Sequence, residues 1–284
     1  MVPTPTLTHL PPELEAAFDK RLDEGKIEFP SLPDVAGRVV HATFDPECDL
    51  GRLETIVQED PHLAGQVLKM ANSALFCPAT PITSLRPALA QIGLGRARDV
   101  ALMVSAESRT FMVEGYEDDI REIVQHGKAT AVYAREVARS TRVDPGAAFC
   151  VGLLHDCGRP ILIQALVDLK VILKVKLRQE IDLTRAAVRE AGRSRHGDVG
   201  AQLLASWQLP AALVDAVRWH HDPSCVDDPE TRGLAGVVAV ADDLADGFCT
   251  AETLAKAAAI GLDEEAVDRL VARRAEFDEL VAQL

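Results

Sequence analysis

Histidines and aspartates that can hold a metal ion recur through the second half of the chain. The stretch VGLLHDCGRP, residues 151–160, contains the adjacent pair His155 and Asp156. Together these side chains offer nitrogen and oxygen ligands, a mixture that suits iron, manganese, zinc or nickel better than magnesium or calcium. The candidate metal ligands, in chain order, are His126, His155, Asp156, His196, His220, His221 and Asp242.

Helical spacing predicts that two of these candidates point into the protein. His126 shares a helical stripe with Tyr133, so its imidazole faces the core. Asp242 shares its face with Val238, whereas Asp243 is turned by about 100° on the same helix. A buried carboxylate costs several kcal/mol unless a cation or hydrogen-bond donors compensate it. A metal ion is one source of that compensation.

The pair His155–Asp156 allows three interpretations. Neighbouring helical side chains diverge, so both can contact one cation only at the rim of a pocket, or they can bridge two cations. With His196 and either His220 or His221, two ions bridged by Asp156 could lower the pKa of a shared water and hold an in-line phosphoester displacement. Alternatively, buried His–Asp pairs satisfy one another by hydrogen bonding without any metal.

The pattern of apolar residues predicts an all-α protein. Spacings of three and four recur along nearly the whole chain, and period-2 alternation is almost absent. We expect residues 1–10 to be an unstructured lead-in, a first helix from Pro11 or Pro12, and loops at 76–84 and 222–229. The helix that begins at Asp144–Pro145 should end near Gly158.

The last segment, residues 263–284, predicts a final amphipathic helix. Arg274 interrupts its apolar stripe, which favours packing on the same chain over a dimer seam, although self-association stays open. The stripe consists of Val267, Leu270, Phe277, Val281 and Leu284.

Composition excludes several classes of protein. The 284 residues are 48% apolar, enough for a sizeable core, and carry a net charge of −14, which repels nucleic acid. No signal sequence and no apolar run of membrane-spanning length is evident, so we expect a cytoplasmic protein without membrane contact. The six scattered cysteines contain no CxxC pair and predict reduced, mostly buried thiols.

A second candidate site lies in the first half, in NSALFCPATPITS. Asn72 and Ser73 are followed by Leu75, Phe76 and two prolines, a combination that suits a protein-binding surface. The interpretation we favour is that Asn72 and Ser73 end a helix and hydrogen-bond the following turn.

The order H…HD…H…HH…D resembles the HD superfamily of metal-dependent phosphohydrolases. Three further segments resemble the HDOD family of bacterial signalling proteins, over about residues 28–245. They are IVQEDPHLAGQVLKMANSALF (56–76), PITSLRPALAQIGLGRARDVALM (81–103) and GDVGAQLLASWQLPAALVDAVRWHHDP (197–223). They are independent patterns in the right order.

The resemblance implies an all-helical fold with an N-terminal bundle (28–115) joined to an HD-like bundle (116–245). It is preceded by the lead-in and first helix (1–27) and followed by C-terminal helices (246–284). HDOD proteins act in bacterial signal transduction, often beside cyclic di-GMP systems, and commonly lack detectable hydrolase activity. The implied partner is a signalling protein or a nucleotide second messenger.

The chain departs from the catalytic pattern at the positions that would bind the phosphate of a substrate. Every position that matches a superfamily metal ligand is filled, which implies a site for one or two ions. Cyclic di-GMP phosphodiesterases of the HD-GYP type carry a lysine where this chain has Arg159, and HHDPSCVDDPETRG contains no Gly-Tyr-Pro. Arg159 could still hold a phosphate, but it does not replace a lysine at a tight site. We therefore expect a non-catalytic signalling module; the alternative is an active phosphohydrolase acting on a nucleotide or cyclic dinucleotide.

Overall fold

The computed structural model describes residues 12–73, 75–108, 111–177, 185–193 and 195–284, which are helical with no strand among them. The helices are α1 (Pro12–Asp23), α2 (Asp34–Phe44), α3 (Leu50–Val57), α4 (Pro61–Ala71), α5 (Leu85–Ala106), α6 (Glu117–Arg139), α7 (Pro145–Leu154), α8 (Gly158–Leu177), α9 (Arg185–Arg193), α10 (His196–Ser206), α11 (Ala211–Arg218), α12 (Pro229–Ala245), α13 (Ala251–Ala259), α14 (Glu264–Ala272) and α15 (Arg274–Gln283). The all-α prediction is confirmed. The predicted lead-in at residues 1–10 lies outside the described residues.

The N-terminal lobe consists of α2–α5. Helices α2, α3 and α4 pack on α5, the longest helix of this lobe, and bury Leu53, Leu63 and Leu89 completely. α5 is kinked at Gly93, whose φ of 79° lies in the left-handed region that favours glycine. The kink lets the two halves of α5 follow different neighbours.

The second lobe consists of α6–α12 and is built around α6. Helices α7 and α12 pack along α6, α11 lies against both α7 and α12, and α10 joins α11 to α8. Aspartate caps start the helices that carry the candidate ligands: Asp144 accepts a hydrogen bond from the Ala147 amide, and Asp228 accepts one from Thr231. α7 ends at Leu154, and a three-residue turn separates it from α8, so the predicted stop at Gly158 is wrong in detail: Gly158 begins the next helix instead of ending the first one.

A buried ion pair joins the two lobes. Asp99 of α5 is bound to Arg135 of α6, and both side chains are almost completely buried. The Arg135 guanidinium also lies 3.8 Å from the centre of the Phe149 ring of α7. Since an unpaired buried charge is strongly destabilising, this pair sets how α5 sits on α6.

Asn72 fastens the loop at residues 76–84 to the end of α4. Its amide nitrogen donates to the carbonyls of Leu68 and Ile82 at 2.8 and 2.9 Å, and its oxygen accepts from the Ile82 amide at 2.8 Å. The predicted hydrogen bonds from Asn72 are confirmed. Ser73 also bonds the following turn, but through its backbone: its carbonyl accepts from the Phe76 and Cys77 amides at 3.1 Å, while its buried hydroxyl has no hydrogen-bond partner among the described residues.

The C-terminal segment forms two helices rather than the single predicted one. The chain breaks its helix at Arg273, between α14 and α15. Phe277 of α15 is completely buried and meets Tyr133 of α6 edge to face, with ring centres 4.9 Å apart. Packing of this segment on the same chain is therefore observed.

Two further expectations need correction or detail. The thiols are not mostly buried: Cys48 and Cys150 are buried and Cys157 is half-buried, while Cys77, Cys225 and Cys249 are exposed. Among the described residues, one helical stretch, residues 145–172, is long and apolar enough to cross a membrane by composition, but 78% of its most apolar window is buried inside the protein. Its apolar residues serve as core.

Replacement of Phe277 by alanine should destabilise the protein by about 3–5 kcal/mol, because it removes a fully buried ring. Urea unfolding measures the change. The matched control is Val271→Ala on the neighbouring helix, where the side chain is 41% exposed, and it should cost less than about 0.5 kcal/mol. Equal effects of the two substitutions would show that α15 does not pack on α6.

Candidate metal centre

Three helices and two turns bring the candidate ligands together. His126 lies in the middle of α6, His155 and Asp156 form the turn between α7 and α8, and His196 is the first residue of α10. His220 and His221 follow α11, and Asp242 lies in the last turn of α12. Two groups in the structure have ligand atoms close enough to share one ion: His196, His220 and His221, and His126, His155 and Asp156. Metal binding by these groups stays a prediction.

Backbone hydrogen bonds orient three of the imidazoles. His155, His196 and His220 each place Nδ1 next to the backbone carbonyl three residues earlier, at 2.8, 2.5 and 2.6 Å. Nδ1–H donates to that carbonyl, so a neutral ring keeps a lone pair on Nε2. The Nε2 atoms of all three rings are thereby directed into the cluster, as in histidines that bind metals.

The Nε2 atoms of the three-histidine group face one another. His196 Nε2 lies 3.2 Å from His220 Nε2 and 3.0 Å from His221 Nε2. Two nitrogens bound to the same ion at about 2.0–2.1 Å lie roughly 3–3.4 Å apart, so the spacing fits a shared cation. Burial lowers the pKa of His196 and His221, and lowers that of His220 well below its usual value. The three rings are therefore neutral, which a metal ligand must be.

Asp242 lies beside the second group. Asp242 Oδ1 lies 2.7 Å from His126 Nε2 and 3.4 Å from His155 Nε2. Asp243 instead binds Lys256 of α13 at 3.0 Å. Asp242 therefore faces the cluster, as predicted, whereas Asp243 is just as buried but faces α13, contrary to the expectation that it points away from the core.

Asp156 lies between the two groups. Its Oδ1 is 3.2 Å from His196 Nε2, and its Oδ2 is 3.8 Å from His155 Nε2. Each carboxylate oxygen thus faces a different group. This placement agrees with the bridging role that the sequence predicted for Asp156.

The carboxylates of the cluster are held ionised. Burial opposes ionisation of Asp156, but His155 and Arg159 outweigh it and the pKa is lowered far below its usual range. The pKa of Asp242 is lowered in the same way, since burial is outweighed by His126 and His155. The two aspartates in turn raise the pKa of His155 to about 9 against the effect of burial. A proton on His155 therefore supplies part of the positive charge that a metal ion would supply in full.

Arg159 is engaged by a candidate ligand. Its Nη1 donates to Asp156 Oδ2 at 2.5 Å, and only 19% of its side chain is exposed. Its Nε is buried with no hydrogen-bond partner in the part of the chain that the structure describes. Arg159, which was predicted to hold a phosphate, is therefore paired with Asp156.

Sequence analysis missed Asp246. Its Oδ1 lies 3.2 Å from His126 Nδ1, on the opposite side of the ring from Asp242. The signal for it was present, because Asp246 follows Asp242 by one helical turn and shares its face. Asp246 thus places a second carboxylate beside the His126 ring, next to that of Asp242.

Two close backbone contacts hold these elements together. A Cβ atom at Gly158 would lie 2.1 Å from the His196 carbonyl oxygen, and one at Gly152 would lie 2.9 Å from the Ala131 Cα. Only glycine allows the start of α8 to approach α10, and α7 to approach α6, this closely. The approach at Gly158 sets the separation of Asp156 and His196.

Replacing Gly158 with alanine should destabilise the protein by about 1–3 kcal/mol or unfold it, because the new Cβ meets a backbone atom that cannot rotate away. Chemical denaturation measures this. The matched control is Gly95→Ala in α5, where an added Cβ has no neighbour within 4 Å. That change should raise stability by up to about 1 kcal/mol. A neutral Gly158→Ala variant would contradict the close packing of α8 on α10.

Comparison with other proteins finds similarity across most of the chain. An uncharacterised protein of Treponema pallidum (strain Nichols) is 22% identical over 215 residues, which is 74% of this chain. The chain spans 40% of the length of that curated relative.

Solved structures share the fold. A predicted metal-dependent phosphohydrolase from Shewanella amazonensis SB2B matches with a TM-score of 0.71 at 18% identity, covering 95% of this chain and 98% of that one. A protein assigned provisionally to signal transduction, from Marinobacter aquaeolei VT8, matches with a TM-score of 0.63 at 22% identity, covering 95% of this chain and 65% of that one. At these identities the likeness concerns the fold.

A family model decides the assignment. The model of the HDOD domain matches residues 29–223, more than half of the chain. The resemblance inferred from the sequence motifs is confirmed, and so is the helical fold that it implied. The chain belongs to the HDOD family.

Proposed function

We propose that this protein is a bacterial signalling module that binds one or two transition-metal ions, iron, manganese, zinc or nickel, at the His–Asp cluster. The observation that carries the proposal is the 3.2 Å distance between the Nε2 atoms of His196 and His220, which both keep a lone pair because each Nδ1–H donates to a backbone carbonyl. Two imidazole lone pairs at this distance repel unless a cation or a proton lies between them. Burial disfavours the proton, as the lowered pKa values show.

The donor set fits such a centre. Five imidazoles and two carboxylates converge, with Asp156 placed between the two groups. A bound ion would neutralise the carboxylates and join the ends of five helices. His126, His155, Asp156 and Asp242 would hold one ion, and His196, His220 and His221 the other, with Asp156 shared.

The burial of the cluster and the position of Arg159 favour a signalling role without catalysis. The side chains of His155, Asp156, His196 and His220 are almost completely buried, so the centre offers little surface to a substrate. Arg159, the candidate for phosphate binding, is held by Asp156. We infer that the module acts through a protein partner or a nucleotide second messenger. Cyclic di-GMP is one candidate messenger, because HDOD proteins often occur beside cyclic di-GMP systems.

A metal-dependent phosphohydrolase is the second candidate. The filled ligand set favours it, as does the shared fold with the predicted phosphohydrolase from Shewanella amazonensis. His126, His221 and Asp242 are the members of the cluster with partly exposed side chains, so a small substrate could approach from their side.

Metal analysis of the purified, untagged protein tests the centre. We expect one or two equivalents of a transition metal, and we expect Asp156→Asn to lose metal because it removes a charge that both groups share. Asp243→Asn is the matched control, since Asp243 points to α13 and should leave the metal content unchanged. A parent protein without metal, or full metal retention in Asp156→Asn, would overturn the proposal.

Turnover separates the two candidate functions. The metal-loaded protein should hydrolyse neither cyclic di-GMP nor linear dinucleotides nor simple phosphodiesters, because Arg159 is engaged by Asp156 and the Gly-Tyr-Pro segment is missing. Product formation followed by chromatography is the measurement. Metal-dependent hydrolysis that disappears in Asp156→Asn would establish the phosphohydrolase instead.

A further inference from the structure

Arg195, the residue before His196, has a backbone conformation that is unusual for an arginine. Its φ of 59° and ψ of 10° lie in the left-handed region. Among the described residues, the other non-glycine residues with positive φ are Cys77 and Gln208. The conformation is unfavourable because the Cβ atom crowds the following carbonyl. A residue persists in it where its surroundings hold it there, and such residues cluster at functional sites.

This conformation determines where His196 finds its backbone partner. His196 Nδ1–H donates at 2.5 Å to the carbonyl of Arg193, the last residue of α9, whose final carbonyls have no partner within that helix. For His155 and His220 the accepting carbonyl belongs to the helix that ends just before the histidine, so ordinary helical geometry supplies it. His196 instead begins a new helix. The φ and ψ of Arg195 therefore set whether the Arg193 carbonyl meets the imidazole.

Two carboxylates of α1 hold the Arg195 side chain. Its guanidinium lies 2.9 Å from Asp23 Oδ1 and 3.9 Å from Asp19 Oδ1. Because these side chains are partly exposed, the ion pairs add a modest contribution to the packing that fixes α10.

Helix α1 comes from outside the part of the chain that matches the HDOD family, residues 29–223. It is anchored on the second lobe, since it packs on α8 and buries Leu14, Phe18 and Leu22. An element that lies before the family domain therefore contacts the residue next to a candidate metal ligand.

We propose that Arg195 is a positioning residue for the metal centre. Held in the left-handed conformation with the help of the α1 carboxylates, it presents the Arg193 carbonyl to His196 Nδ1. The proton then stays on Nδ1, and the Nε2 lone pair faces the cluster, as a metal ligand requires. Helix α1 thereby tunes the affinity of the three-histidine group for an ion. The tuning rests on the proposed metal centre, whereas the orientation of the ring does not.

Histidine-selective ¹⁵N NMR of the metal-free full chain at neutral pH tests the orientation. The parent should carry the His196 proton on Nδ1, and a spectrum of His196→Asn assigns the signal. Arg195→Gly should keep this signal, because glycine adopts positive φ without steric cost. Arg195→Val should lose it, because a β-branched residue strongly disfavours positive φ. Arg195→Ala, a milder change, should show a partial loss.

The matched control is Gln208→Val at the other end of α10, where φ is 56° and the side chain is exposed. It introduces the same conformational strain far from the cluster. Its thermal stability should fall about as much as that of Arg195→Val, while the His196 signal stays as in the parent.

Zinc affinity, measured by competition with a chelating dye, is the second readout. Arg195→Val should weaken zinc binding by about tenfold or more, as loss of a group that orients a ligand does. Asp23→Asn should weaken it by about two- to fivefold, because a partly exposed ion pair is lost. Arg195→Gly and Gln208→Val should bind zinc like the parent.

Three results would overturn the proposal. The first is an unchanged His196 signal in Arg195→Val. The second is loss of the signal in Gln208→Val, which would make it a report of general destabilisation. The third is its loss in Arg195→Gly, which would assign the effect to the side chain and not to the backbone conformation. A parent protein that binds no zinc would contradict the proposed function, and the metal-free spectra decide separately whether Arg195 orients His196.

Discussion

The contact between the α8 backbone at Gly158 and the α10 backbone at His196 is the constraint on which the candidate metal centre depends. It leaves no room for a side chain at Gly158, where a Cβ would lie 2.1 Å from the His196 carbonyl oxygen. Asp156 lies two residues before Gly158, and its Oδ1 consequently lies 3.2 Å from His196 Nε2. Hydrogen bonds from Nδ1 to the backbone then direct the imidazoles inward. Backbone packing thus sets the distances, and backbone hydrogen bonds set the orientations.

Helix α6 carries charged contacts to several neighbouring helices. Its His126 lies beside the ionised Asp242 of α12, and its Arg135 is bound to Asp99 of α5. Both contacts lie where helices meet and where solvent screens charge least. A change of charge at either contact would therefore change how strongly α6 holds its neighbours.

Much of the fold and most of the candidate site were predictable because local rules govern them. Asp144–Pro145 and Asp228–Pro229 start helices through capping and the fixed φ of proline, and helical periodicity separates Asp242 from Asp243. Predictions failed where a residue's surroundings come from distant segments. Arg159 was predicted to be available to a phosphate, yet it binds Asp156, and Ser73 bonds the following turn through its carbonyl while its hydroxyl stays without a partner among the described residues. The break at Arg273 likewise has no strong helix-ending signal, and packing of Phe277 on α6 accompanies it.

The amino-acid sequence by itself determined the helical class, the family and the identity of the seven candidate ligands, because side-chain chemistry and helical periodicity are properties of short segments. Only the tertiary structure decided which candidate ligands lie close enough to share an ion, that Asp156 stands between the two groups, and that Asp246 lies beside His126. These are distances between residues far apart in the chain. They follow from how closely helices pack, and a single glycine or a buried ion pair such as Asp99–Arg135 changes that packing in ways that periodicity does not encode.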